Sequence, residues 1–113
     1  MGTADKEAQA RGKAYDGTDF IVSKKRWRHV VDRHAELENF LDAVLLTITS
    51  PDEAYIDPRG TIHLLKAPKR GPSDFLAAIV RKECQETYLV TAYPIGGKRK
   101  IRGYRTFKKL PLS

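Results

Sequence analysis

The chain has 113 residues, a formal net charge of +7 and a sequence pI of about 9.7, which fits one folded domain and leaves too little length for two. Its single cysteine, Cys84, excludes an intrachain disulfide and a metal site built from several cysteines. No apolar run approaches the roughly 20 residues that span a bilayer, and the charged N-terminus is unlike a signal peptide, so we predict a cytoplasmic protein with no membrane segment.

The positive charge is concentrated in the second half of the chain. Residues 1–60 hold nine Lys or Arg against eleven Asp or Glu, whereas residues 61–113 hold twelve against three. A local excess of this kind favours a polyanionic partner, and RNA is the main prediction. The alternative interpretation is a charged, solvated surface that serves only solubility.

The first 50 residues predict a leader followed by two helices. Residues 1–17 are small, charged and without an apolar period, which is typical of a flexible leader. A single α+β domain is then expected over residues 18–113. Ser23 fits the N-cap of a helix over residues 24–34. A second helix is predicted over residues 37–48, where large apolar residues recur at helical spacing until a Ser-Pro pair ends the pattern.

From residue 54 the pattern changes to strands. Residues 54–56 and 61–66 flank the turn Asp57-Pro58-Arg59-Gly60 and predict a hairpin. The β-rich runs 75–81 and 87–93 predict two more strands. The expected fold is therefore α+β, with two N-terminal helices packed on a four-stranded antiparallel β-meander.

The segment after Pro94 is predicted to be a flexible basic loop. Gly96 and Gly97 are expected to form a surface turn rather than the start of a helix. Basic residues then alternate with aromatic or aliphatic ones up to Lys109, and a short fifth strand fits this alternation.

Histidine and arginine side chains on the first helix form the first candidate site. Arg26, His29 and Arg33 share one helical face, where two guanidinium groups beside an imidazole suit a phosphate. Imidazole has an ordinary pKa of about 6.5 and can therefore act as general base or acid near neutral pH. The alternative for His29 is a plain surface residue. His34 falls on the apolar face, where burial in the core and a functional role are equally open.

Two hydroxyl-bearing residues on the last predicted strand form the second candidate site. Alternation places Thr91 and Tyr93 on one side of the strand and Val90 and Ala92 on the other. Both hydroxyls can donate to a phosphate oxygen, and Tyr93 can also stack on a base or position a proton. The alternative is that both are ordinary sheet-forming residues.

Lys66, at the end of the second strand of the hairpin, is a candidate electrostatic stabiliser. A fixed ammonium there would offset the negative charge that builds up at phosphorus during RNA cleavage, although a solvated lysine is the alternative. His63 falls on the opposite side of the same strand and ranks below the helix histidines. The chain has no phosphate-cradling glycine loop, no His-Glu-x-x-His pattern and no carboxylate cluster, so we expect neither a metal nor a cofactor.

Three motifs occur in an order that resembles phage-associated nucleases. They are Trp27-Arg28-His29-Val30-Val31-Asp32-Arg33-His34, Thr47-Ile48-Thr49-Ser50-Pro51-Asp52 and Val90-Thr91-Ala92-Tyr93-Pro94. Over about residues 21–100 the chain thus resembles the barnase–EndoU–colicin–RelE-like nuclease superfamily, in its phage and polymorphic-toxin branches. The sequence departs from that pattern at Ala35, where proline is common. The resemblance implies a metal-independent ribonuclease fold and a functional role for His29, Arg33, His34, Thr91 and Tyr93.

We therefore predict a toxin- or effector-type endoribonuclease that activates the 2′-hydroxyl of RNA against the adjacent phosphate. The catalytic set comprises His29 or His34 as general base or acid, Arg33 and Lys66 as stabilisers of the phosphoryl charge, and Thr91 and Tyr93 as orienting groups. The predicted RNA-binding set is Arg26, Lys98, Arg99, Lys100 and Arg102.

Two other functions fit the same sequence. One is a catalytically silent RNA-binding module with the same basic surface. The other is a phage or mobile-element interaction domain whose basic face meets an acidic protein. RNA, with tRNA among the candidates, is the expected partner of both the endoribonuclease and the RNA-binding module. A cognate immunity or antitoxin protein is the expected partner of the interaction domain.

Overall fold

The computed structural model describes residues 7–68 and 73–112 and arranges them as a seven-stranded mixed β-sheet with three α-helices. The strands are β1 (Ala8–Lys13), β2 (Asp19–Ser23), β3 (Glu53–Ile56), β4 (Ile62–Lys66), β5 (Phe75–Glu83), β6 (Glu86–Ile95) and β7 (Lys108–Lys109). The helices are α1 (Lys24–Arg33), α2 (Leu41–Thr49) and α3 (Gly97–Tyr104), with a 3-10 turn at Ala35–Leu37. None of these described helices has the length and apolar character needed to cross a membrane.

Antiparallel pairing dominates the sheet, whose strand order is β1-β2-β6-β5-β4-β3-β7. Strands β3 to β6 form a continuous antiparallel run in chain order, and β1 pairs antiparallel with β2. One parallel contact joins these two parts, because β2 runs beside β6 with Ile21 next to Tyr88. At the other edge β7 pairs with β3, in the region where a short extra strand is predicted.

The sheet buries apolar side chains on both of its faces. Leu64 and Leu76 point to the face on which α1 and α2 pack, which we call the α1/α2 face. Leu65 and Ile79 point to the other face, where they pack with Tyr104 of α3, and we call this the α3 face. Burying a leucine or isoleucine fully stabilises the folded state by about 1.5–3 kcal/mol relative to its exposure, so both faces contribute to stability.

The predicted architecture of two N-terminal helices on a four-stranded meander is wrong. The four predicted strands exist as β3 to β6, and the predicted hairpin around residues 57–60 is confirmed. They form only the middle of a larger mixed sheet, because β1 and β2 precede α1 and extend the sheet beyond β6. The parallel pair joins residues 19–21 to residues 86–88, and a pairing between such distant segments leaves no local periodicity in the sequence.

Residues 8–13 form an edge strand, so the prediction of a flexible leader is wrong for this segment. Residues 1–6 lie outside the described residues. The strand has no apolar side chain larger than alanine and is held mainly by backbone pairing with β2. Gly12 lies opposite Phe20, and a β-carbon there would come within 2.8 Å of Phe20 Cε2. The glycine therefore allows the phenyl ring to pack against the backbone of β1.

Both predicted helices exist, but the second begins later than expected. Ser23 caps α1 as predicted, because its hydroxyl accepts a hydrogen bond from the Arg26 backbone N–H at 3.1 Å. The second helix begins only at Leu41, because residues 35–37 form a separate 3-10 turn that buries Leu37. The chain therefore leaves α1 at His34, before the second helix begins.

The predicted basic C-terminal loop is a helix in its first part, so that prediction is wrong. Gly97 opens α3, and its backbone N–H donates to Asp74 Oδ2 at 2.9 Å. Lys100 pairs with Glu53 at 2.8 Å, and Tyr104 is buried against the sheet. All three contacts join α3 to the sheet strands or to the segment just before β5. A short helix depends on such packing more than on its own propensity, which explains why the local sequence predicts a loop.

Truncation of Leu64 tests the placement of the core. Leu64 is fully buried on the α1/α2 face, so we expect Leu64→Ala to lower the free energy of unfolding by about 2–5 kcal/mol through lost transfer energy and a cavity. Urea denaturation followed by circular dichroism measures this loss. Leu46→Ala is the matched control, because Leu46 is 51% exposed on α2 and its truncation should change stability by about 0.5 kcal/mol or less. Equal losses in the two variants would contradict this core.

Candidate functional site

A groove opens on the α3 face where the end of α1, the end of β6 and α3 meet. Its volume is about 690 Å³, and we call it the α3 groove. The side chains there that can carry chemistry are His34, His63, Tyr93, Arg99, Arg102 and Tyr104. Two imidazoles, two phenols and two guanidinium groups therefore share one site.

A chain of hydrogen bonds leads from this groove to the turn between β3 and β4. Asp57 Oδ2 lies 3.0 Å from His63 Nε2, and His63 Nδ1 lies 2.9 Å from Tyr104 Oη. Tyr104 Oη lies 3.2 Å from Tyr93 Oη. We call this chain the Asp57–Tyr93 relay. It connects a carboxylate in the β3–β4 turn to a phenol that lines the groove.

When the His63 ring is neutral, the donor and acceptor properties of these groups give the relay a single direction. The hydrogen bond with His63, helped by two backbone N–H groups of the turn, lowers the pKa of Asp57, so the carboxylate is ionised near neutral pH and only accepts. His63 Nε2–H then donates to Asp57, and Nδ1 of the neutral ring accepts from the Tyr104 hydroxyl. Tyr104 Oη accepts in turn from Tyr93. The Tyr93 oxygen therefore keeps its own acceptor capacity for the groove.

Aromatic packing holds the relay in place. The His63 ring lies 5.2 Å, centroid to centroid, from the rings of both Tyr104 and Phe107, and Tyr104 lies 5.0 Å from Tyr55. Burial raises the pKa of Tyr104 well above its ordinary value, and the hydrogen bond with Tyr93 adds to the rise. Burial likewise raises the pKa of Tyr55 to about 12. Tyr104 therefore stays protonated and transmits a hydrogen bond between its neighbours.

His34 reaches the α3 groove because α1 ends just before it. Its backbone N–H closes the last helical turn by donating to the Val30 carbonyl at 2.8 Å, whereas its φ of −137° and ψ of 74° depart from the helix. The half-buried ring lies 5.9 Å from the Tyr93 ring, centroid to centroid, at an interplanar angle of 42°. An imidazole thus stands beside the outer phenol of the relay.

Two arginines of α3 supply positive charge to the groove. Arg99 and Arg102 are three residues apart and share one side of the helix. Among the described residues neither forms an ion pair with a carboxylate, whereas Lys100 is bound to Glu53 at 2.8 Å. Burial by itself raises the pKa of Glu53, but hydrogen bonds from Lys100 and Tyr55 outweigh it and lower that pKa. The two guanidinium groups are therefore available to an anion.

The α3 groove unites four residues that the sequence predicts as functional, which are His34, Tyr93, Arg99 and Arg102. Thr91 lies on the α3 face opposite Ile79 but does not line this groove. The predicted alternation fails at Val90, because a β-bulge there leaves Val90 without its own cross-strand partner and lets it pack with the α3-face cluster.

Two predicted phosphate stabilisers lie outside the groove. Lys66 shares the α1/α2 face with its cross-strand partner Leu76. Its Nζ donates to the Ser50 carbonyl at 2.7 Å and lies 3.4 Å from Asp52 Oδ1, so the ammonium stabilises the C-terminal end of α2. Arg33 is exposed at the end of α1 and does not line the α3 groove. The structure therefore does not bring Lys66 or Arg33 to the predicted catalytic partners.

The remaining predicted residues divide between α3 and a second groove. Lys98 is exposed on α3 outside the α3 groove, and Lys100 is the partner of Glu53 described above. A groove of about 720 Å³, here called the α1 groove, is lined by Arg11, Ile21, Lys25, Arg26, His29 and Tyr88, together with Ser23, Glu86 and Leu89. His29 and His34 therefore occupy different grooves, although both belong to the first helix and its cap.

Sequence patterns give little indication that Asp57, His63 and Tyr104 belong to a functional site. Asp57 looks like an ordinary turn residue, and indeed one carboxylate oxygen accepts from two backbone N–H groups of the turn while the other binds His63. The contact between Asp57 and His63 could have been predicted from the hairpin, because the hairpin register places His63 close to the turn that contains Asp57. No such pattern indicates the position of Tyr104, since its segment predicts a loop.

Comparison with family models, with curated proteins and with solved structures yields no match for this chain. Across residues 7–68 and 73–112, no group of three or more His, Cys, Asp or Glu side chains is arranged to hold a metal ion. The candidate function therefore rests on the geometry of the α3 groove.

Replacement of Asp57 tests the inner end of the relay through the pH dependence of stability. The folded-state pKa of Asp57 lies below its ordinary value of 3.8, so the ionised group stabilises the fold above that pH and loses this contribution as pH falls through the lowered pKa. We expect the difference in unfolding free energy between wild type and Asp57→Asn to be full above about pH 5 and to shrink below about pH 4. Urea denaturation at a series of pH values measures it.

Asp32→Asn is the control for removal of a surface charge, because Asp32 is exposed on α1 and makes no side-chain hydrogen bond among the described residues. A loss in Asp57→Asn that stays constant from neutral pH to acid would contradict the ionised Asp57–His63 contact.

Proposed function

We propose that this chain is an endoribonuclease of the toxin or effector type, which cleaves RNA by attack of a 2′-hydroxyl on the adjacent phosphate, and that the α3 groove is its active site. The observation that carries the proposal is the position of His34 beside Tyr93, the outer end of the Asp57–Tyr93 relay. This reaction needs a base, an acid and positive charge near the phosphorus. The groove holds one candidate for each requirement, with no metal in the scheme.

The relay acts as the general base. The 2′-hydroxyl donates to the Tyr93 oxygen, and as the new bond to phosphorus forms, its proton enters the relay while the existing relay protons shift toward His63 Nδ1. His63 becomes an imidazolium ion that the Asp57 carboxylate stabilises, as a carboxylate stabilises the histidine of a hydrolytic triad. The hydrogen bonds of 2.9 to 3.2 Å within the relay support this path for the proton.

His34 acts as the general acid, and the arginines bear the developing charge. The bond from phosphorus to the 5′-oxygen breaks, and that oxygen takes a proton from the His34 imidazolium. The products are a 2′,3′-cyclic phosphate and a free 5′-hydroxyl. Arg99 and Arg102 contribute fixed positive charge beside the pentacovalent phosphorane, where charge-assisted hydrogen bonds are strongest.

Membership of the barnase–EndoU–colicin–RelE-like superfamily is part of this proposal. His34 and Tyr93 come from two of the motifs that carry the resemblance, and they meet in one groove. RNA, with tRNA among its candidates, is the proposed substrate, and the cytoplasm is the proposed site of action. A cognate immunity or antitoxin protein would inhibit the enzyme by placing acidic side chains over α3, whose residues 97–104 include four Lys or Arg and no Asp or Glu.

The roles of the two helix histidines can be separated by mutation. In buffer containing EDTA, the wild type should cleave labelled RNA into fragments with cyclic-phosphate ends. We expect His34→Ala to lower kcat by about 10²–10⁴-fold, the usual effect of losing a general acid. His29→Ala should lower kcat far less at saturating RNA, because His29 lies in the α1 groove. Quantification of fragments and identification of their ends provide the measurement.

Salt-sensitive RNA binding without cleavage would reject the enzyme and favour the RNA-binding module. Equal losses of kcat in the two variants, with both proteins folded by circular dichroism, would reject the assignment of His34. Failure of the wild type to bind RNA at low salt would reject both RNA functions.

The relay can be tested by removing one hydroxyl. Tyr104→Phe keeps the buried ring but breaks the path between Tyr93 and His63. We expect kcat to fall about 10²-fold or more, and the acidic limb of the pH–rate profile to change, because that limb reports the base. Tyr15→Phe is the matched control, since Tyr15 packs against the α1/α2 core cluster, away from both grooves. A wild-type pH profile in Tyr104→Phe would rule out the relay as the base.

A further inference from the structure

We infer that the α1 groove is a second subsite for the same substrate, so that a single strand of RNA runs along β6 from the α1 groove into the α3 groove. The inference rests on the proposed function, because it identifies the part of the RNA that lies away from the cleaved bond. It assigns a binding role to Arg11, Lys25 and Tyr88, which no motif in the sequence singles out.

One tyrosine of each groove projects from the same face of the sheet. Tyr88 of the α1 groove lies opposite Arg81, and Tyr93 of the α3 groove lies opposite Ala77. Ala77 and Ile79 belong to the α3-face cluster, and alternation along β5 places Arg81 on that face as well. Cross-strand partners share a face, so both tyrosines project from the α3 face.

Helix α1 forms a common wall beside both grooves. Pairing between β2 and β6 ends at Ile21 and Tyr88, and α1 also packs against β6. The helix contributes His29 to the α1 groove, and its cap contributes His34 to the α3 groove. Thr91 lies on the α3 face between the two tyrosines. One strand and one helix therefore border both grooves.

Charge in the α1 groove favours a phosphate backbone. Arg11, Lys25 and Arg26 are exposed there, and among the described residues none of them forms an ion pair with a carboxylate. The one carboxylate of the groove belongs to Glu86, which accepts from Tyr88 Oη at 2.6 Å. Three fixed cations against one anion leave a positive balance, which attracts RNA phosphates in a salt-dependent manner.

The Tyr88 ring favours an unpaired base. Its residue is 36% exposed, which makes it one of the few large aromatic side chains open to solvent among the described residues. Stacking on an aromatic ring requires a base that is free of its duplex neighbours, and single-strand binding proteins combine such rings with a basic path for the backbone. The hydrogen bond to Glu86 restrains the phenol and so limits the motion of the ring.

The spacing of the two tyrosines predicts a substrate length. Five residues of strand separate Tyr88 from Tyr93, which corresponds to roughly 16 Å. A stacked strand advances about 3.4 Å per nucleotide and an extended one advances further, so roughly three to five nucleotides bridge the two rings. A substrate shorter than this reaches only the α3 groove.

A series of chimeric oligonucleotides tests the inference. Each contains one ribonucleotide as the only cleavable position, flanked by two to eight deoxynucleotides on one side or the other, with the opposite flank kept short. We expect kcat/KM to rise roughly tenfold when one flank passes about four nucleotides, which is the gain typical of one stacked base and its phosphates. The increase should come through KM and should occur on one flank only.

Variants of the α1 groove identify the source of that gain. Tyr88→Ala should reduce the ratio of long-substrate to short-substrate kcat/KM to near one, whereas Tyr88→Phe should retain it because the ring remains. The double variant Arg11→Gln, Lys25→Gln should weaken the salt dependence of KM for the long substrate. Arg105→Gln is the matched control, because Arg105 is exposed and lines neither groove. An unaltered ratio in Tyr88→Ala would overturn the inference.

Binding measurements separate failure of this inference from failure of the proposed function. Fluorescence anisotropy of all-deoxy oligonucleotides of the same lengths reports the subsite without cleavage. Length-dependent binding that Tyr88→Ala abolishes, in a wild type that cleaves no RNA, would support the path and reject the enzyme. Cleavage without any length dependence would keep the enzyme and reject the path. Equal affinity for single strands and duplexes of one length would also overturn the inference.

Discussion

Strand β5 lies at the centre of the sheet and is buried on both of its faces. Five consecutive residues of this strand, 76–80, are buried, so the strand needs apolar cover on each side of the sheet. The helices α1 and α2 cover one side, and Tyr104 with Phe107 covers part of the other. Because that second cover is partial, Tyr93 on the neighbouring strand remains half-buried at its border, and the α3 groove lies there.

Hydrogen bonding along the relay explains how polar side chains are accommodated inside the apolar cluster of the α3 face. His63 is enclosed by Tyr104 and Phe107, yet both of its ring nitrogens have hydrogen-bond partners. Across the described part of the chain, no buried side-chain nitrogen or oxygen lacks a partner. A buried polar group without a partner costs about 1–3 kcal/mol, so each member of the relay holds its neighbours in place. Such mutual support holds the side chains of the relay in one geometry.

The positions of the basic side chains, as well as their number, decide which of them can bind an anion. Of the basic residues in the helix 97–104, Lys100 is bound to Glu53, whereas Arg99 and Arg102 border the groove. One ion pair with a residue distant in sequence thus makes Lys100 an anchor of the helix, whereas Arg99 and Arg102 remain without a carboxylate partner among the described residues. At the other end of β6, Arg11 comes from the edge strand β1. Residues from both ends of the chain therefore contribute to one positively charged face.

Local sequence patterns were sufficient to predict several elements and to identify candidate side chains. The capped helix at Ser23, the hairpin around residues 57–60 and the paired strands β5 and β6 follow from patterns within a few residues of one another. His34, Tyr93 and the α3 arginines are recognisable as candidates from residue type and order. These features depend on neighbours along the chain, which a sequence pattern reports directly.

Which of these candidates come into contact depends on tertiary packing. The parallel pairing of β2 with β6, the bulge that turns Val90, and the helix at 97–104 all depend on segments far apart in sequence. The β3–β4 hairpin and the packing of α3 on the sheet bring Asp57, His63 and Tyr104 together. His29 and His34 lie in different grooves, and Lys66 binds the end of α2 instead of lining either groove. Local periodicity encodes the face on which a side chain lies, but contacts between distant segments follow from the packing of whole faces, and that packing created the site.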